Sequence, residues 1–422
     1  MQLTISWAMV AFNVAAWATP HHAVQDPAHQ DPLRDPIQQA TDPASQCALA
    51  APPDVFLSIG HGFRYAQCAP TTGLLNTHMI FADFRDAPAT PQAAQEAYDF
   101  FLPAAAHLYT NTSFGALTLH VTTDTPARFH RMPRNTTAYA FNRSLSAEAH
   151  YAYIQDAVDA WQRDAVLPSP VHILYIVAPP HARAISFSPT YLAGPVRSRA
   201  GTLVARAAVT IGYDAFHAWG WKTLVHETGH CLCLPDMYAV GAAEEEHVYV
   251  GGWDLMGLIS GRAPDAFAWV KWKLGWLRNE NMACVVEKGT YNFSLRAVEV
   301  QGENEEAYAA VVVRLSESVA LVVERRARLG VDMHMCKEGV LLYIVDTRVE
   351  SGEGPVRVLD TSLAGSEAQL GKCETEKMGG APLSEVGDTF TVVKLGISVT
   401  VEIVYDDPVG VAGAWGVRVE RV

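Results

Sequence analysis

Apolar positions change their spacing several times along the chain, and each regime predicts a different structure. Ile5 to Ala18 is mostly apolar and ends in Ala16-Trp17-Ala18, a small-x-small cleavage pattern, so residues 1–18 read as a secretory signal. Residues 19–69 are expected to form a mobile, propeptide-like segment. Its first part, 19–46, is rich in Asp, Pro, Gln and His and offers little apolar surface to offset ordering entropy. From about 70 the spacing becomes mixed. His78 to Phe84 and Val171 to Ala178 are apolar runs of strand length, the second bounded by prolines. Gln92 to Leu108, Ala147 to Arg163 and Asp214 to Leu232 have helical spacing. In the second of these, Tyr151, Ile154, Val158 and Trp161 fall on one side and are expected in the core.

After about 288 the pattern shortens to strands separated by Gly-rich or charged turns: Ala307 to Arg314, Val319 to Arg325, Gly339 to Asp346, Thr389 to Val393 and Ile397 to Val404. The chain is therefore expected to be α+β, with one mixed domain over 70–287 and a β-sandwich-like domain over 288–422. No run after the first reaches the 18 or so apolar residues of a membrane span.

The third helical stretch carries the chemistry. His226-Glu227-Thr228-Gly229-His230 is an H-E-x-x-H pair. Residues four apart share a helix face, so the two imidazoles can serve one zinc ion, with Glu227 beside them as general base. A catalytic zinc usually has three protein ligands and an open position. Asp236, six residues past His230 and beyond a turn that Pro235 enforces, is the best third candidate. Cys231, Cys233, Glu244 to Glu246 and His247 are the alternatives. Leu224 and Cys231 lie on another side of the helix and are expected to face the core. Gly229, inside the helix, implies close approach of another backbone element.

The neighbouring motifs carry a family resemblance. HETGHCLCLPDMY, then VGGWDLMG (250–257), then AFAWVKWKLGWL (266–277) resemble the catalytic core of the immune inhibitor A metallopeptidases, secreted metzincin-like zinc endopeptidases. GLLNTHMIFADFRDAP (73–88) is similar to the family's first strand and TSFGALTLHV (112–121) to its S-x-G-x-L segment, so the likeness spans roughly 70–280. It implies a metzincin-like catalytic domain over 70–287, with His226, His230 and Asp236 as zinc ligands and Glu227 as general base. Met256 would be the methionine of the turn beneath the metal.

Two positions depart from that pattern. Glycine stands in the family where this chain has Cys233, at the sharp turn that brings round the third ligand. A residue with a side chain pays roughly 1 kcal/mol there. Either Cys233 adopts the left-handed backbone or the turn is made differently. Leu258 occupies the place where many metzincins carry a tyrosine, for which Tyr238 or Tyr249 would have to substitute. Trp219, Trp221 and Trp253 are expected in packing rather than in a substrate groove.

Charge and cysteine content narrow the setting. A net charge of −14 argues against a nucleic-acid partner, whose phosphates need a basic footprint. The seven cysteines of an exported chain suggest disulfides. Cys47 with Cys68, Cys336 with Cys373, and Cys284 with Cys231 or Cys233 are the expected pairs. Asn111, Asn135, Asn142 and Asn292 each open an N-x-S/T triplet, as in a glycosylated secretory protein. Acidic loops leave room for structural Ca2+, although no strict calcium-loop spacing occurs. The expectation is a secreted zinc endopeptidase with protein or peptide substrates and one Zn2+. The alternative is a binding or adhesion protein on a catalytically inactive protease fold.

Overall fold

The computed structural model describes residues 43–63, 65–165, 169–241, 247–302, 307–364, 378–394, 396–407 and 413–422. The signal-like stretch and residues 19–42 lie outside these, as do Glu244, Glu245, Glu246 and Cys373.

Strands β1 (Gly73–Asp83), β2 (Leu117–Thr123), β3 (Phe129–Arg131), β4 (Val171–Val177), β5 (Thr190–Tyr191), β6 (Val196–Arg197) and β7 (Leu203–Ile211) form one sheet. Its order is β2-β1-β4-β7-β5, with β3 beside β1 and β6 beside β7. The strands from β2 to β7 along that order are parallel, and β5 and β6 run antiparallel to β7. A parallel sheet is covered on both faces, and the alternation of side chains serves both. Met79, Phe81, Tyr175 and Val177 enter one core, while Ile80, Ala82, Leu174 and Ile176 enter another. Helices α1 (Ala93–Phe101), α2 (Ala104–Thr112) and α4 (Lys222–Cys231) cover the first face, and α3 (Ala147–Trp161) covers the second.

Two expected helices are broken. The stretch 92–108 divides at Pro103, which has no N–H to donate and disfavours helical backbone at Leu102; that residue is extended, with φ −122° and ψ 143°. The stretch 214–232 begins as a wide turn over Ala215–Trp219, breaks at Gly220 (φ 72°, ψ −164°), and resumes as α4. In α3, Ile154, Val158 and Trp161 are buried as expected. Tyr151 is only half-buried, its ring 5.4 Å from that of Tyr191.

The rest of the chain supplies α5 (Ala268–Lys273), β8 (Met282–Val285), β9 (Gly289–Leu295), β10 (Ala310–Arg314), β11 (Val319–Arg326), β12 (Gly339–Asp346), β13 (Val356–Val358), β14 (Thr389–Lys394), β15 (Ile397–Asp407) and β16 (Ala414–Arg421). They form two sheets, β13-β12-β11-β10-β8 and β14-β15-β16-β9. Val311, Val313, Leu321 and Val323 of the first meet Val399, Val401, Val417 and Val419 of the second in one apolar layer. The alternate residues Ala310, Val312, Ala320 and Val322 face the other way, into the core shared with α4 and α5. The architecture is mixed α+β with several sheets. Among the described residues no helix is long and apolar enough to cross a membrane.

Two disulfides differ from the expected pairs, Cys47 with Cys68 and Cys284 with Cys231 or Cys233. Cys47 bonds to Cys284 and Cys68 to Cys233, with Cα–Cα distances of 5.7 and 5.5 Å, rather than Cys47 to Cys68. Cys231 is a buried free thiol, and Cys336 is disulfide-bonded. Chain proximity suggested short loops; instead both bonds close loops longer than 160 residues, with separations of 237 and 165. They fasten a segment expected to be loose. Of 43–69, Cys47, Leu49, Ile59 and Ala69 belong to the main core. Trp269 Nε1 and Lys273 Nζ donate to the carbonyls of Ile59 and Gly60, at 2.9 and 2.7 Å. The four acceptor asparagines Asn111, Asn135, Asn142 and Asn292 are all exposed.

The core also carries a pH dependence. His150 of α3 is buried with Nε2 2.9 Å from Thr210 Oγ1, and burial lowers its pKa from 6.5 to about 3. Between those values the unfolded chain binds a proton that the folded chain excludes. Stability from this group is therefore whole above pH 6.5 and lost as pH falls toward 3, by about 1.4 kcal/mol per pH unit. Urea unfolding across pH ~4–6 should give His150→Gln a slope of stability against pH that is shallower by about that amount. Identical slopes would mean that His150 titrates freely in the folded protein.

Candidate metal centre

Helix α4 presents one face to the core and one to a cleft. Leu224 and Cys231 are fully buried on the core side. The helix is also held there by polar contacts: Tyr109 Oη donates to the Val225 carbonyl at 2.8 Å, and the Tyr175 and Thr228 hydroxyls lie 2.7 Å apart. On the other face His226 and His230 stand one turn apart, ring centroids 4.9 Å and planes nearly perpendicular. After Cys231 the chain reverses. Leu234 N donates to Gly229 O at 3.0 Å, and Cys233 sits in the left-handed region at φ 64°. Cys233 thus takes the conformation that glycine would take more easily, and the turn delivers Asp236 to the two histidines. Asp236 Oδ1 lies 3.3 Å from His226 Nε2 and 3.2 Å from His230 Nε2.

Each histidine is oriented from behind. His226 Nδ1 donates to the Leu255 carbonyl at 3.0 Å and His230 Nδ1 to the Leu234 carbonyl at 2.9 Å. A carbonyl only accepts, so the proton of each neutral ring is on Nδ1, and each Nε2 turns a lone pair toward Asp236. Asp236 Oδ1 is itself buried with no hydrogen-bond donor. Three lone-pair donors thus converge on one point, an arrangement that a bound cation, or an added proton on an imidazole, would satisfy. The protein's own charges express the same demand. Burial works against a charged His230, yet the Asp236 carboxylate outweighs it and lifts the pKa to about 9. Against the effect of burial, the two imidazoles hold Asp236 well below the usual carboxylate range.

The donor set fits zinc. Two imidazole nitrogens and one carboxylate oxygen are a usual catalytic set. A tetrahedral ion with bonds of about 2.0–2.1 Å separates its ligand atoms by roughly 3.3–3.4 Å, close to the spacing of Asp236 Oδ1 from each ring. His226, Glu227 and His230 each offer an atom within 4.8 Å of the others, and no second such group, acidic ones included, occurs among the described residues.

The turn containing Met256 lies beneath. Met256 N donates to Asp254 Oδ1 at 2.8 Å, Met237 N donates to Met256 O at 2.9 Å, and Leu255, one residue earlier, orients His226. Gly229 is small for this turn's sake. A Cβ there would stand 2.5 Å from Met256 Sδ, so the close neighbour is a side chain rather than the backbone expected from sequence. Gly229→Ala gains about 1 kcal/mol of helix propensity but overpacks the site at a cost of about 1–3 kcal/mol. The variant should be less stable than the parent, and Met256→Ala should relieve the clash. A double-mutant cycle by urea unfolding should therefore give a favourable coupling of about 1 kcal/mol or more; strict additivity would contradict the contact.

Glu227 is flanked by a residue that sequence reasoning missed. Thr190 Oγ1, on edge strand β5, lies 2.8 Å from Glu227 Oε2 and 2.9 Å from its backbone oxygen. Burial raises the Glu227 pKa, and His230, His226 and the Thr190 hydroxyl oppose that rise. Ser351 was missed as well: Asp236 N donates to its Oγ at 2.8 Å, the hydroxyl reaches Asp236 Oδ2 at 3.4 Å, and Gly352 N donates to Asp236 O at 3.0 Å. Neither residue has a local sequence signal, since they stand 37 and 115 positions from the residues they hold.

Of the alternative ligands, the two cysteines are set aside and Glu244 to Glu246 lie outside the described residues. Cys233 is consumed in a disulfide and Cys231 points into the core. His247 lines the same cleft as His226, Glu227, Trp219, Tyr238 and Leu258. Tyr238 is the tyrosine near the centre, its ring 6.1 Å from that of His226. Tyr249 is buried elsewhere, under the Arg357 guanidinium. Trp253 is buried and donates to the Met378 carbonyl, and Trp221 is half-buried against the core. No protein-family model matches the chain, and no curated protein matches it either.

Proposed function

We propose that this protein is a zinc-dependent endopeptidase that hydrolyses peptide bonds of proteins in an extracellular or secretory setting. One observation carries the reading. Three lone-pair donors, His226 Nε2, His230 Nε2 and Asp236 Oδ1, converge beside the carboxylate of Glu227 in an open cleft. The resemblance of the surrounding motifs to the immune inhibitor A metallopeptidases, and the disulfides expected of an oxidising compartment, support it further.

His226, His230 and Asp236 would hold the ion. When bound, zinc supplies Lewis acidity, acidifying a water and polarising the scissile carbonyl. The chain's own residues do the rest. Glu227 accepts the water's proton on its carboxylate and returns a proton to the departing amine nitrogen. Thr190 holds Oε2 of that carboxylate, so Glu227 is aimed and its anionic form favoured. Trp219, Tyr238, Leu258 and Ile259 give the cleft apolar walls for substrate side chains.

The competing reading, an inactive scaffold used for binding, rests on Cys233 and Leu258, the two departures from the family pattern. Cys233 adopts the backbone that the turn requires, and Tyr238 lines the cleft together with Leu258, its ring 6.1 Å from that of His226. Metal analysis with a peptide-cleavage assay separates the two. The peptidase reading expects one zinc per chain and cleavage abolished by EDTA; a folded, zinc-loaded chain that cuts no peptide favours the scaffold. Asp236→Ala should weaken zinc retention by more than the roughly 10–100-fold that loss of an outer-shell partner costs. Unchanged retention would move the third ligand elsewhere.

A further inference from the structure

We infer that the Cys68–Cys233 disulfide is a positioning device for the metal centre, holding the left-handed turn that delivers Asp236. The inference rests on the zinc reading above. A side chain at Cys233 disfavours φ 64°, and in the resembling family glycine removes that penalty. Here a covalent bond does the work. Cys233 is tied to Cys68 across 165 residues, with the Cα atoms 5.5 Å apart.

The anchor on the other side is firm. Ala69, next to Cys68, donates its N–H to the Cys231 carbonyl at 2.7 Å, satisfying a carbonyl of the last turn of α4. Ala69 is buried in the main core, and Trp276 Nε1 donates to the Thr71 carbonyl at 2.7 Å. The segment around Cys68 is therefore fixed by the core, by Trp276 and by the end of α4, apart from its bond to Cys233. From Cys233 the chain needs only Leu234 and Pro235 to reach Asp236. Leu234 also supplies the carbonyl that orients His230. One residue's backbone angle thus governs a ligand and the orientation of a second ligand. In the wild-type chain, full metal affinity then depends on this disulfide, which ties it to an oxidising compartment.

The test compares the wild-type chain with two double variants, C68S/C233A and C68S/C233G, which differ by one methyl group and leave no thiol at either position. Zinc affinity is read by competition with a chromogenic chelator, and unfolding is followed separately. C68S/C233A should bind zinc roughly tenfold more weakly, the equilibrium equivalent of the left-handed penalty. C68S/C233G should regain wild-type affinity, because glycine takes that conformation freely, while both variants melt below the wild type for want of the crosslink. A merely structural disulfide would lower both melting points without separating the two affinities. Equal affinity in all three proteins, or weakening in C68S/C233G as large as in C68S/C233A, overturns the inference. Should C68S/C233A fail to fold, C68S/C233G against the wild type still decides: equal binding supports the inference and tenfold weaker binding overturns it. A wild-type chain that binds no zinc overturns the metal reading itself, and this inference with it.

Discussion

Glu227→Ala is expected to lose nearly all turnover while keeping its zinc. General acid–base catalysis contributes typically about 10²–10⁴-fold, and among the described residues Glu227 is the carboxylate, apart from Asp236, that adjoins both histidines. Its oxygen lies within 4.8 Å of the histidine nitrogens, and Thr190 keeps it aimed. The ligand trio is untouched by the change, because His226 and His230 are oriented by Leu255 and Leu234 and Asp236 by Ser351. Steady-state kinetics paired with metal analysis reads both halves of the prediction. The informative pattern is a fall in kcat with stoichiometric zinc. Full activity in the variant would assign the proton transfer to another group, whereas loss of zinc along with activity would make Glu227 a ligand. Thr190→Val, which removes only the aiming hydroxyl, should give a smaller loss of the same kind.

Arg326→Met is expected to cost about 3–5 kcal/mol of stability, the usual result of breaking a buried ion pair from one side. Arg326 is fully buried on β11 and faces three carboxylates. Its Nε lies 3.2 Å from Glu299 Oε1, its Nη1 3.1 Å from Glu324 Oε1, and its Nη2 pairs with Asp332 Oδ2. These acids in turn fix the segment that follows the Met256 turn. Glu324 Oε2 accepts from Ala268 N at 2.7 Å and Asp332 Oδ1 from Asp265 N at 2.8 Å, while Lys271 Nζ pairs with Asp265 at 2.9 Å. Without the guanidinium the carboxylates lose their charge partner, and burial already pushes Glu299 well above its ordinary pKa. In the variant the guanidinium no longer opposes that rise, so the folded pKa of Glu299 stays above the unfolded one. The resulting deficit is small below about pH 4 and grows as pH rises through the unfolded carboxylate range. Urea unfolding at acidic and neutral pH checks both the size and this sign. A loss under about 1 kcal/mol, or one independent of pH, would show the network to be dispensable.

Much of the fold was legible because it is written in short periods. The runs at 78–84 and 171–178 became the buried strands β1 and β4, and Gly339–Asp346 became β12 with the expected bounds. Where two local signals competed, the period alone misled. Pro103 and Gly220 broke helices that apolar spacing would have continued. Strands β7 and β16 went unread although both are largely buried, as did shorter or more exposed ones such as β8, β9 and β13, which resemble loops until a partner strand supplies the hydrogen bonds.

The candidate centre divides along the same line. Four-residue spacing on a helix is a local property, so the sequence alone determined that His226 and His230 share a face and that Glu227 adjoins them. It also marked Asp236 and Met256 through their neighbouring motifs. Tertiary structure decided what distance along the chain conceals: the Thr190 hydroxyl on the Glu227 carboxylate, the Ser351 grip on Asp236, the Met256 side chain against Gly229, and the bond from Cys68 that holds Cys233 in a conformation its own side chain disfavours. Helix geometry follows from backbone stereochemistry and needs no partner. Long-range contacts depend on which surfaces the buried sheets bring together, and that is fixed only when the whole core forms.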